Sequence, residues 1–278
     1  MIATSSLSTQ GHVDGAAAGR PRIQPLPSVL TAGLSMQDML RVNAARPHFR
    51  TVKGGEALYF QGDECRNIYV LLDGWAFRHQ SIENGRRQIL DFALPGALFG
   101  LSSSATMGHG VETLTPCVFS AFARDNLFDL LQRVPTLSLR FVELMAVAEA
   151  RAFEHLTSVG RRSARQRVAN LLHELLIRSR QMGHVDAAAE MSLPLMQPHI
   201  ADALGLASET VCRVLAAMRR DGVLILRGRR LEVLDIDRLT EEAGVEPAPP
   251  PITARATPRS GCASSAVTAM PIRAGGTV

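Results

Sequence analysis

Hydrophobic positions between residues 48 and 123 fall in short runs that turn residues interrupt. Ile68, Val70 and Leu72 follow the two-residue period of a strand. The interrupting pairs are Gly54-Gly55, Gly62-Asp63, Asp73-Gly74, Asn84-Gly85 and Pro95-Gly96. Asn84-Gly85 predicts a hairpin, because both central residues of a type I′ turn need positive φ. Turns at this spacing predict a small antiparallel barrel or sandwich.

The pattern becomes helical after this region. Apolar or small residues recur at helical spacing at Leu137, Phe141, Leu144, Met145, Ala148, Ala152, Leu156 and Val159. They predict a helix of about six turns. The apolar stripe of this helix must pack against another surface, and two interpretations stay open. The surface is either a parallel copy of the helix from a second chain, which the DNA hypothesis below favours, or the chain's own barrel. A second helix is predicted around residues 168–176, with Gly160 as the break before it.

Residues 197–216 fit two short helices that cross at a steep angle. Pro198 suits the first turn of a helix, where its missing N–H costs nothing. Ala201 is small where the second helix must approach, and Gly205 sits where the turn needs positive φ. The positions that lock the two helices are apolar: Ile200, Leu204, Leu206, Val211 and Val214. The frame predicts a helix-turn-helix, and a generic helical hairpin is the alternative.

The second helix of this frame has a core side and a polar side. Glu209 and Arg213 are four residues apart and so share one surface. One interpretation is an intrahelical salt bridge worth a few tenths of a kcal/mol. The other is base readout, in which the carboxylate accepts from cytosine N4 and the guanidinium pairs with guanine, each contact giving roughly 1–3 kcal/mol of discrimination. The helix-turn-helix frame favours base readout.

Two apolar segments, 223–226 and 231–234, predict a β-hairpin, or wing, with the basic tip Arg227-Gly228-Arg229-Arg230. Between residues 208 and 230 six arginines stand against two acids, Glu209 and Asp221. This excess fits phosphate contacts, which fix position rather than sequence. A solvated basic surface is the alternative. The predicted phosphate contacts are Thr210, Arg219, Arg220 and Arg229.

Composition narrows the class of protein. The chain has 278 residues, 46% of them hydrophobic, and a net charge of +4, which allows two compact domains. No apolar run reaches the roughly 18–20 residues of a membrane span, and residues 1–20 lack the apolar core of a secretory signal, so a cytoplasmic location is expected. The four cysteines form no C-x-x-C pair, so no metal site is predicted. No nucleophile–base motif or phosphate loop suggests an enzyme.

The order of parts resembles the Crp/Fnr family of bacterial transcription regulators over roughly residues 30–240. The residues that carry the resemblance are Gly62-Asp63, Asp73-Gly74, Pro95-Gly96, Phe99-Gly100 and the run Glu209-Thr210-Val211-Cys212-Arg213. It implies an α+β chain with a cyclic-nucleotide-binding-like β-barrel (a jelly roll), a long dimerisation helix and a C-terminal winged helix-turn-helix. The expected boundaries are a tail at 1–28, the barrel at 29–135, the dimerisation helix at 136–160, the DNA-binding domain at 161–240 and a tail at 241–278.

The resemblance also implies partners, and departures from the family's ligand-binding motifs lead us to expect no cofactor. It implies double-stranded DNA, a second copy of the chain through helix 136–160, and RNA polymerase. Family members that bind cyclic nucleotides carry a Glu after the barrel glycine and an Arg in the later loop, where this chain has Leu101 and the run 110–113. No cAMP response is therefore expected. Residues 1–60 hold no cysteine cluster for iron–sulfur, and Leu101-Ser102 stands where haem-binding members place a histidine, so His79 and His109 are not expected to ligate haem.

The recognition motif differs from its relatives at two positions. Cyclic-AMP-type readers have an arginine before the motif's Glu, whereas this chain has Ser208, which favours a TTGA-type half-site. Cys212 occupies a position usually filled by Ser or Gly, so the outer bases stay open. Its predicted place on the DNA face makes it a candidate for redox control, with a small inert residue as the alternative.

A different class of function competes with DNA binding. The chain could be a ligand-binding regulatory subunit that acts on a protein partner, with the barrel as its sensor. Such a subunit has no use for the Glu209/Arg213 pair or the basic wing, so a DNA-binding regulator is favoured.

Overall fold

The computed structural model describes residues 26–45, 48–82, 85–182 and 190–245. Two short helices, α1 (Ser28–Thr31) and α2 (Met36–Ala44), precede a β-domain. Its strands are β1 (His48–Val52), β2 (Ala57–Tyr59), β3 (Asn67–Asp73), β4 (Ala76–Ser81), β5 (Arg87–Ala93), β6 (Leu98–Phe99), β7 (Gly110–Thr113) and β8 (Cys117–Ala123). The first and last of these strands begin and end at residues 48 and 123, where the strand pattern of the sequence begins and ends.

The β-domain is the predicted jelly roll. Two four-stranded antiparallel sheets, with orders β1-β8-β3-β6 and β2-β7-β4-β5, pack face to face. The predicted hairpin is confirmed because β4 pairs with β5 from Ala76↔Ala93 to Ser81↔Arg87. Gly85 has φ +76°, as the predicted turn requires, while Asn84 lies outside the described residues. Residues 110–113, expected in a loop, instead form strand β7 between β2 and β4.

Strand β3 is buried on both faces, and this explains its uninterrupted apolar run. Tyr69 and Leu71 point between the two sheets, where they join a core with Phe99 and Phe119. Ile68 and Val70 point the other way, into a second core formed with the helices. Helix residues of that second core include Leu30, Leu127, Leu137 and Phe141. The helices on either side of the β-domain are therefore parts of one hydrophobic layer over this sheet.

The helical half begins with α3 (Arg124–Arg133), α4 (Pro135–Arg161) and α5 (Ala164–Gln181). The predicted break at Gly160 is wrong, because α4 continues to Arg161. The break falls instead at Ser163, whose side chain accepts from the Gln166 backbone N–H while the Gln166 side chain accepts from the Ser163 N–H. This capping box starts α5, because it satisfies two backbone N–H groups that have no partner within the helix.

The C-terminal domain, which the sequence predicts to bind DNA, follows as β9 (Glu190–Ser192), α6 (Gln197–Leu204), α7 (Ser208–Arg220), β10 (Leu224–Arg227), β11 (Arg230–Val233) and α8 (Ile236–Ala243). Strands β10 and β11 form the predicted hairpin, and β9 adds a third antiparallel strand beside β11. The sequence pattern did not predict β9, which is three residues long. A winged helix-turn-helix is therefore present where the sequence predicts it.

The described chain extends past both predicted tails. Leu26 and Leu30 are buried, and α1 begins at Ser28, so the predicted tail at 1–28 reaches too far. At the other end α8 runs to Ala243, which is fully buried, beyond the predicted boundary at 240. At both ends, a few buried apolar side chains hold segments in place, although the composition of these segments is typical of a linker. Among the described residues, no helix is both long enough and apolar enough to cross a membrane.

Candidate nucleic-acid interface

Helix α6 and the turn after it fix the orientation of α7. Ile200, Ala201 and Leu204 are buried, as the helix-turn-helix frame predicts. His199 at the start of α6 is also buried, its Nδ1 accepts from the Met196 backbone N–H at 3.2 Å, and burial lowers its pKa. Gly205 ends the helix in the left-handed region at φ +62°. A side chain other than glycine is disfavoured there, so the sharp turn depends on Gly205.

Helix α7 has one buried and one exposed face. Val211, Leu215 and Met218 are buried at spacings of four and three residues, so one stripe of the helix packs on the domain. The acidic Glu209 lies in the first turn, and Arg219 and Arg220 lie in the last, which is the arrangement that the helix dipole favours. The helix is thus stable without a side-chain cap at its N-terminus, where the structure shows none.

The exposed face carries the predicted base-reading residues. Glu209, Cys212 and Arg213 are exposed, and Ser208 and Thr210 are half-buried beside them. Among the described residues Arg213 has one side-chain partner, a hydrogen bond from its Nη2 to Thr210 Oγ1 at 3.3 Å, and no ion pair to Glu209. The salt-bridge interpretation of this pair is therefore absent from the structure. Both side chains project from the helix and are accessible to a ligand that offers donors and acceptors.

A basic surface surrounds this face. Arg219 and Arg220 at the end of α7 are exposed, as are Arg227 and Arg229 beside the wing turn. Arg230 differs from them, because its Nε lies 2.5 Å from the Glu190 carboxylate on β9. The acid Asp221 is also neutralised, since Arg165 lies 2.6 Å from it. Glu209 is therefore an exposed acid among arginines, and no ion pair to it is present within the described residues.

The arginines at the start of α5 have structural partners. Arg165 binds the Glu242 carboxylate at 2.7 Å as well as Asp221, and these hydrogen bonds raise its pKa. Arg167 donates to the Leu204 carbonyl at 3.1 Å, beside the turn of the helix-turn-helix. These contacts join α5 to α6, α7 and α8. Local sequence patterns do not indicate these contacts, because the partners are 37 to 77 residues away along the chain.

Helix α4 has two different faces, and the single apolar stripe predicted from the sequence contains residues of both. Leu137, Phe141 and Ser158 are buried against the rest of the chain, and Leu144 and Ala148 are half-buried on the same side. A second set follows alternating spacings of three and four residues and is exposed: Leu139, Val142, Ala146, Glu149, Phe153 and Leu156. We call this set the seam face. Its apolar members include Leu139, Phe153 and Leu156 at 65%, 61% and 69% exposure.

The structure shows that the chain's own core covers one face of α4, whereas cover by a second chain stays a prediction. The chain's own core covers the stripe through Leu137 and Phe141, so the prediction of a partner at these two positions is wrong. Leu156 belongs instead to the seam face, which the described residues leave uncovered. A periodicity argument could not separate the faces, because a helix with two apolar faces satisfies several stripes at once.

Two domain models match this chain. The Crp-like helix-turn-helix domain matches residues 166–242, and the cyclic nucleotide-binding domain matches residues 49–134. These ranges coincide with the DNA-binding domain and the jelly roll described above. The matched ranges leave out the whole of α4, the helix between them.

Similar proteins are regulators. The chain is 32% identical over 200 residues to the transcriptional activator protein FnrL of Cereibacter sphaeroides, covering 71% of this chain and 81% of that one. It is 33% identical over 183 residues to the nitrogen fixation regulation protein FixK of Rhizobium meliloti, covering 65% and 79%. Among solved structures, FixK2 of Bradyrhizobium japonicum superposes with a TM-score of 0.64 at 26% identity, covering 72% of this chain and 98% of that one.

Proposed function

Because this chain belongs to the Crp/Fnr family of DNA-binding transcription regulators, we propose that it binds a two-fold symmetric DNA site as a homodimer. In this proposal each chain reads one TTGA-type half-site with α7. The observation that supports it most directly is the exposure of Glu209 and Arg213 on one face of α7, without an ion pair between them.

Base readout follows from the chemistry of these two side chains. A carboxylate among arginines and close to phosphates is unfavourable unless it accepts a hydrogen bond, and cytosine N4 is a donor in the major groove. The guanidinium of Arg213 can donate to guanine O6 and N7 together. Ser208 and Cys212 flank the pair and would contact the outer bases of the half-site. Exposure also leaves the Cys212 thiol open to oxidants, and redox control at this residue stays a prediction.

Phosphate contacts would orient the helix in the groove. Thr210, Arg219, Arg220 and Arg229 lie around the readout face, on α7 and on the turn of the wing. Contacts of this kind contribute most of the salt-dependent affinity and little sequence preference. The neutralisation of Asp221 by Arg165 favours this role, because it removes a repulsive charge from the phosphate side.

The seam face of α4 supports the homodimer. A spacing of three and four residues is the heptad pattern of a coiled coil, and a second α4 packed in parallel would bury its apolar members. A two-fold axis along this helix pair would place two copies of α7 for the two half-sites. RNA polymerase is the proposed protein partner, in keeping with the family and with the activator named above, and DNA as target implies a cytoplasmic location.

The experiment is selection of bound DNA from a random pool with the full chain, run without added cAMP, haem or metal. We expect an inverted repeat of TTGA-type half-sites. Arg213→Ala and Glu209→Ala should each weaken binding to the selected site by roughly 1–3 kcal/mol per half-site and relax the preference at one base position. Adding cAMP should not change the selected sequence.

Arg229→Ala is the matched control. It removes a positive charge from the same surface, but at a residue proposed to contact phosphate. It should therefore weaken binding to all DNA sequences alike and reduce the salt dependence of binding by about one ion. If Arg213→Ala behaves like Arg229→Ala, keeping the wild-type base preference, Arg213 does not read a base and the assignment is wrong.

A further inference from the structure

The last turn of helix α6 is held by two different parts of the chain. Gln88 on β5 donates from its side chain to the Ala203 carbonyl at 2.8 Å, and Arg167 of α5 donates to the next carbonyl, that of Leu204, at 3.1 Å. The carbonyls in the last turn of a helix have no partner within that helix, so these hydrogen bonds satisfy groups that α6 leaves open. The end of α6 is therefore fixed to the jelly roll on one side and to α5 on the other.

Arg167 also contacts the end of α4. Its Nε donates to the Arg162 carbonyl at 2.9 Å, while its Nη1 donates to the Leu204 carbonyl. Arg162 and Ser163 are the two residues between α4 and α5, and both have an extended backbone. We call these two residues the joint. One guanidinium therefore bridges the joint and the end of α6, and its planar set of donors restrains direction as well as distance.

The joint is held from the side of α4 as well. The carboxylate of Glu154 on α4 lies 2.6 Å from the Arg162 guanidinium, and it accepts from the side-chain amide of Asn170 on α5 at 3.2 Å. Asn170 is buried, so this contact lies inside the packing of α4 against α5. These contacts restrain the angle between the two helices. A continuous set of polar contacts thus runs from α4 through the joint and Arg167 to α6.

The orientation of α6 determines that of α7, because the turn at Gly205 and the buried stripe of α7 connect the two helices firmly. In the proposed dimer, the distance between the two α7 helices then depends on the angle between α4 and α6. Helix α7 has 13 residues, so it is about 20 Å long, and a rotation of about 10° about one end moves the other by about 3.5 Å. One base pair rises by about 3.4 Å. A small rotation of α6 is therefore equivalent to one base pair of spacing.

We propose that Arg167 is a positioning residue that sets the spacing between the two DNA half-sites, with Gln88 as the second contact that holds α6. This inference rests on the homodimer and the half-sites proposed above. Arg167 is half-buried and its donors point to two backbone carbonyls, so it acts through α6 rather than by contact with DNA. The affinity for a single half-site depends on α7, whereas the preference for one spacing depends on the angle that Arg167 restrains.

The test measures binding of the full chain to four DNA probes: a single TTGA-type half-site, the selected inverted repeat, and repeats whose spacer is one base pair longer or shorter. We expect the wild type to prefer the selected spacer by about tenfold or more. Arg167→Gln should bind the single half-site like wild type and reduce the spacer preference about threefold or more, since Gln88 still holds α6. The double variant Gln88→Ala/Arg167→Gln should lose most of the preference.

Arg180→Gln is the matched control, because it removes an exposed arginine from the last turn of the same helix and should leave all four affinities unchanged. If Arg167→Gln does not fold, Arg167→Lys carries the same test, since it keeps the cation at the end of α6 but not the planar donors. The inference is overturned if the folded Arg167 variant keeps the wild-type spacer preference or weakens all four probes equally. A wild type that binds the half-site without any spacer preference overturns this inference alone, whereas one that binds no half-site overturns the proposed function with it.

Discussion

His109 sits at the inner end of the jelly roll, with its Nε2 3.1 Å from the Tyr59 hydroxyl. Burial lowers its pKa from 6.5 to about 4, and nearby Arg78 and His79 act in the same direction. Burial raises the pKa of Tyr59 to about 12, so its hydroxyl stays protonated beside the imidazole. Burial therefore favours the neutral form of His109 in the folded chain.

The pH dependence of stability follows from this shift. The folded pKa of His109 is lower than the unfolded one, so between about pH 6.5 and pH 4 the unfolded chain binds the extra proton. Stability is complete above this range and falls as the pH falls through it. We expect the free energy of unfolding, measured with urea, to fall between about pH 7 and pH 5 by up to about 2 kcal/mol more in the wild type than in His109→Gln.

The exposed His48 provides the control for this measurement. His48→Gln should retain the wild-type loss of stability, because an exposed imidazole is solvated in both states. Equal pH dependence of the wild type and His109→Gln would show that the neutral form of His109 is not required by the fold.

Single residues differ in how far the sequence predicts them. Gly205 and the exposed pair Glu209 and Arg213 are confirmed in their predicted places, because a helix-turn-helix fixes them through local spacing. The ion pairs of Asp91 on β5 with Arg78, Arg151 and Arg178 were not predicted. These arginines lie 13, 60 and 87 residues away along the chain, and local patterns carry no information about such contacts.

At the scale of elements, α4 makes the sharpest prediction. Leu156 and Phe153 are exposed on the seam face, and burying either side chain is worth roughly 1.5–3 kcal/mol. A two-fold dimer loses each contact twice, so Leu156→Glu should raise its dissociation constant by about a hundredfold or more. Sedimentation over a range of concentrations measures this directly.

Val147→Glu is the matched variant for this experiment. Val147 is exposed on the same helix and one position off the seam face, so the same change of side chain there should leave the dimer intact. If Leu156→Glu and Val147→Glu dissociate equally, or if the wild type is a monomer at every concentration, α4 is not the dimer interface.

The sequence predicts the strands of the jelly roll better than it predicts the short helices, and the structure shows why. The outer limits of the strand region, 48 and 123, were predicted to the residue, and turn residues mark several strand ends, but β7 was expected as a loop. Helices α1, α2 and α3 and strand β9 were missed. They are short, and the apolar residues that order them, such as Leu30 and Leu127, pack onto distant strands rather than forming a long stripe of their own.

At the scale of the whole molecule, a few polar contacts join the jelly roll to the DNA-binding domain. Arg87 of β5 bridges Glu112 at 3.0 Å and Asp202 of α6 at 3.1 Å. Gln88 donates to the Ala203 carbonyl at 2.8 Å, and Arg178 of α5 donates to the Phe92 carbonyl at 2.7 Å. The contacts that cross between the domains join residues 86 to 115 positions apart in the sequence. Local sequence patterns therefore do not indicate them.

We expect these contacts to make the two domains unfold together. Trp75, the chain's one tryptophan, lies in the jelly roll between β3 and β4, so its fluorescence reports on that domain. The far-UV circular dichroism reports mainly on the helices. In the wild type the two signals should give one coincident urea transition, as expected for a single cooperative unit.

The double variant Arg87→Ala/Arg178→Ala removes the charged contacts on both sides of Gln88. Its two signals should separate into distinct transitions, because each domain keeps its own core while the coupling between them is lost. Arg133→Ala, which removes an exposed arginine from α3, should leave the transitions coincident. Separate transitions already in the wild type would mean that the docked arrangement adds no cooperativity. Coincident transitions in the double variant would assign the coupling to the packing of α6 against β5, and the ion pairs would then only orient domains that packing already holds together.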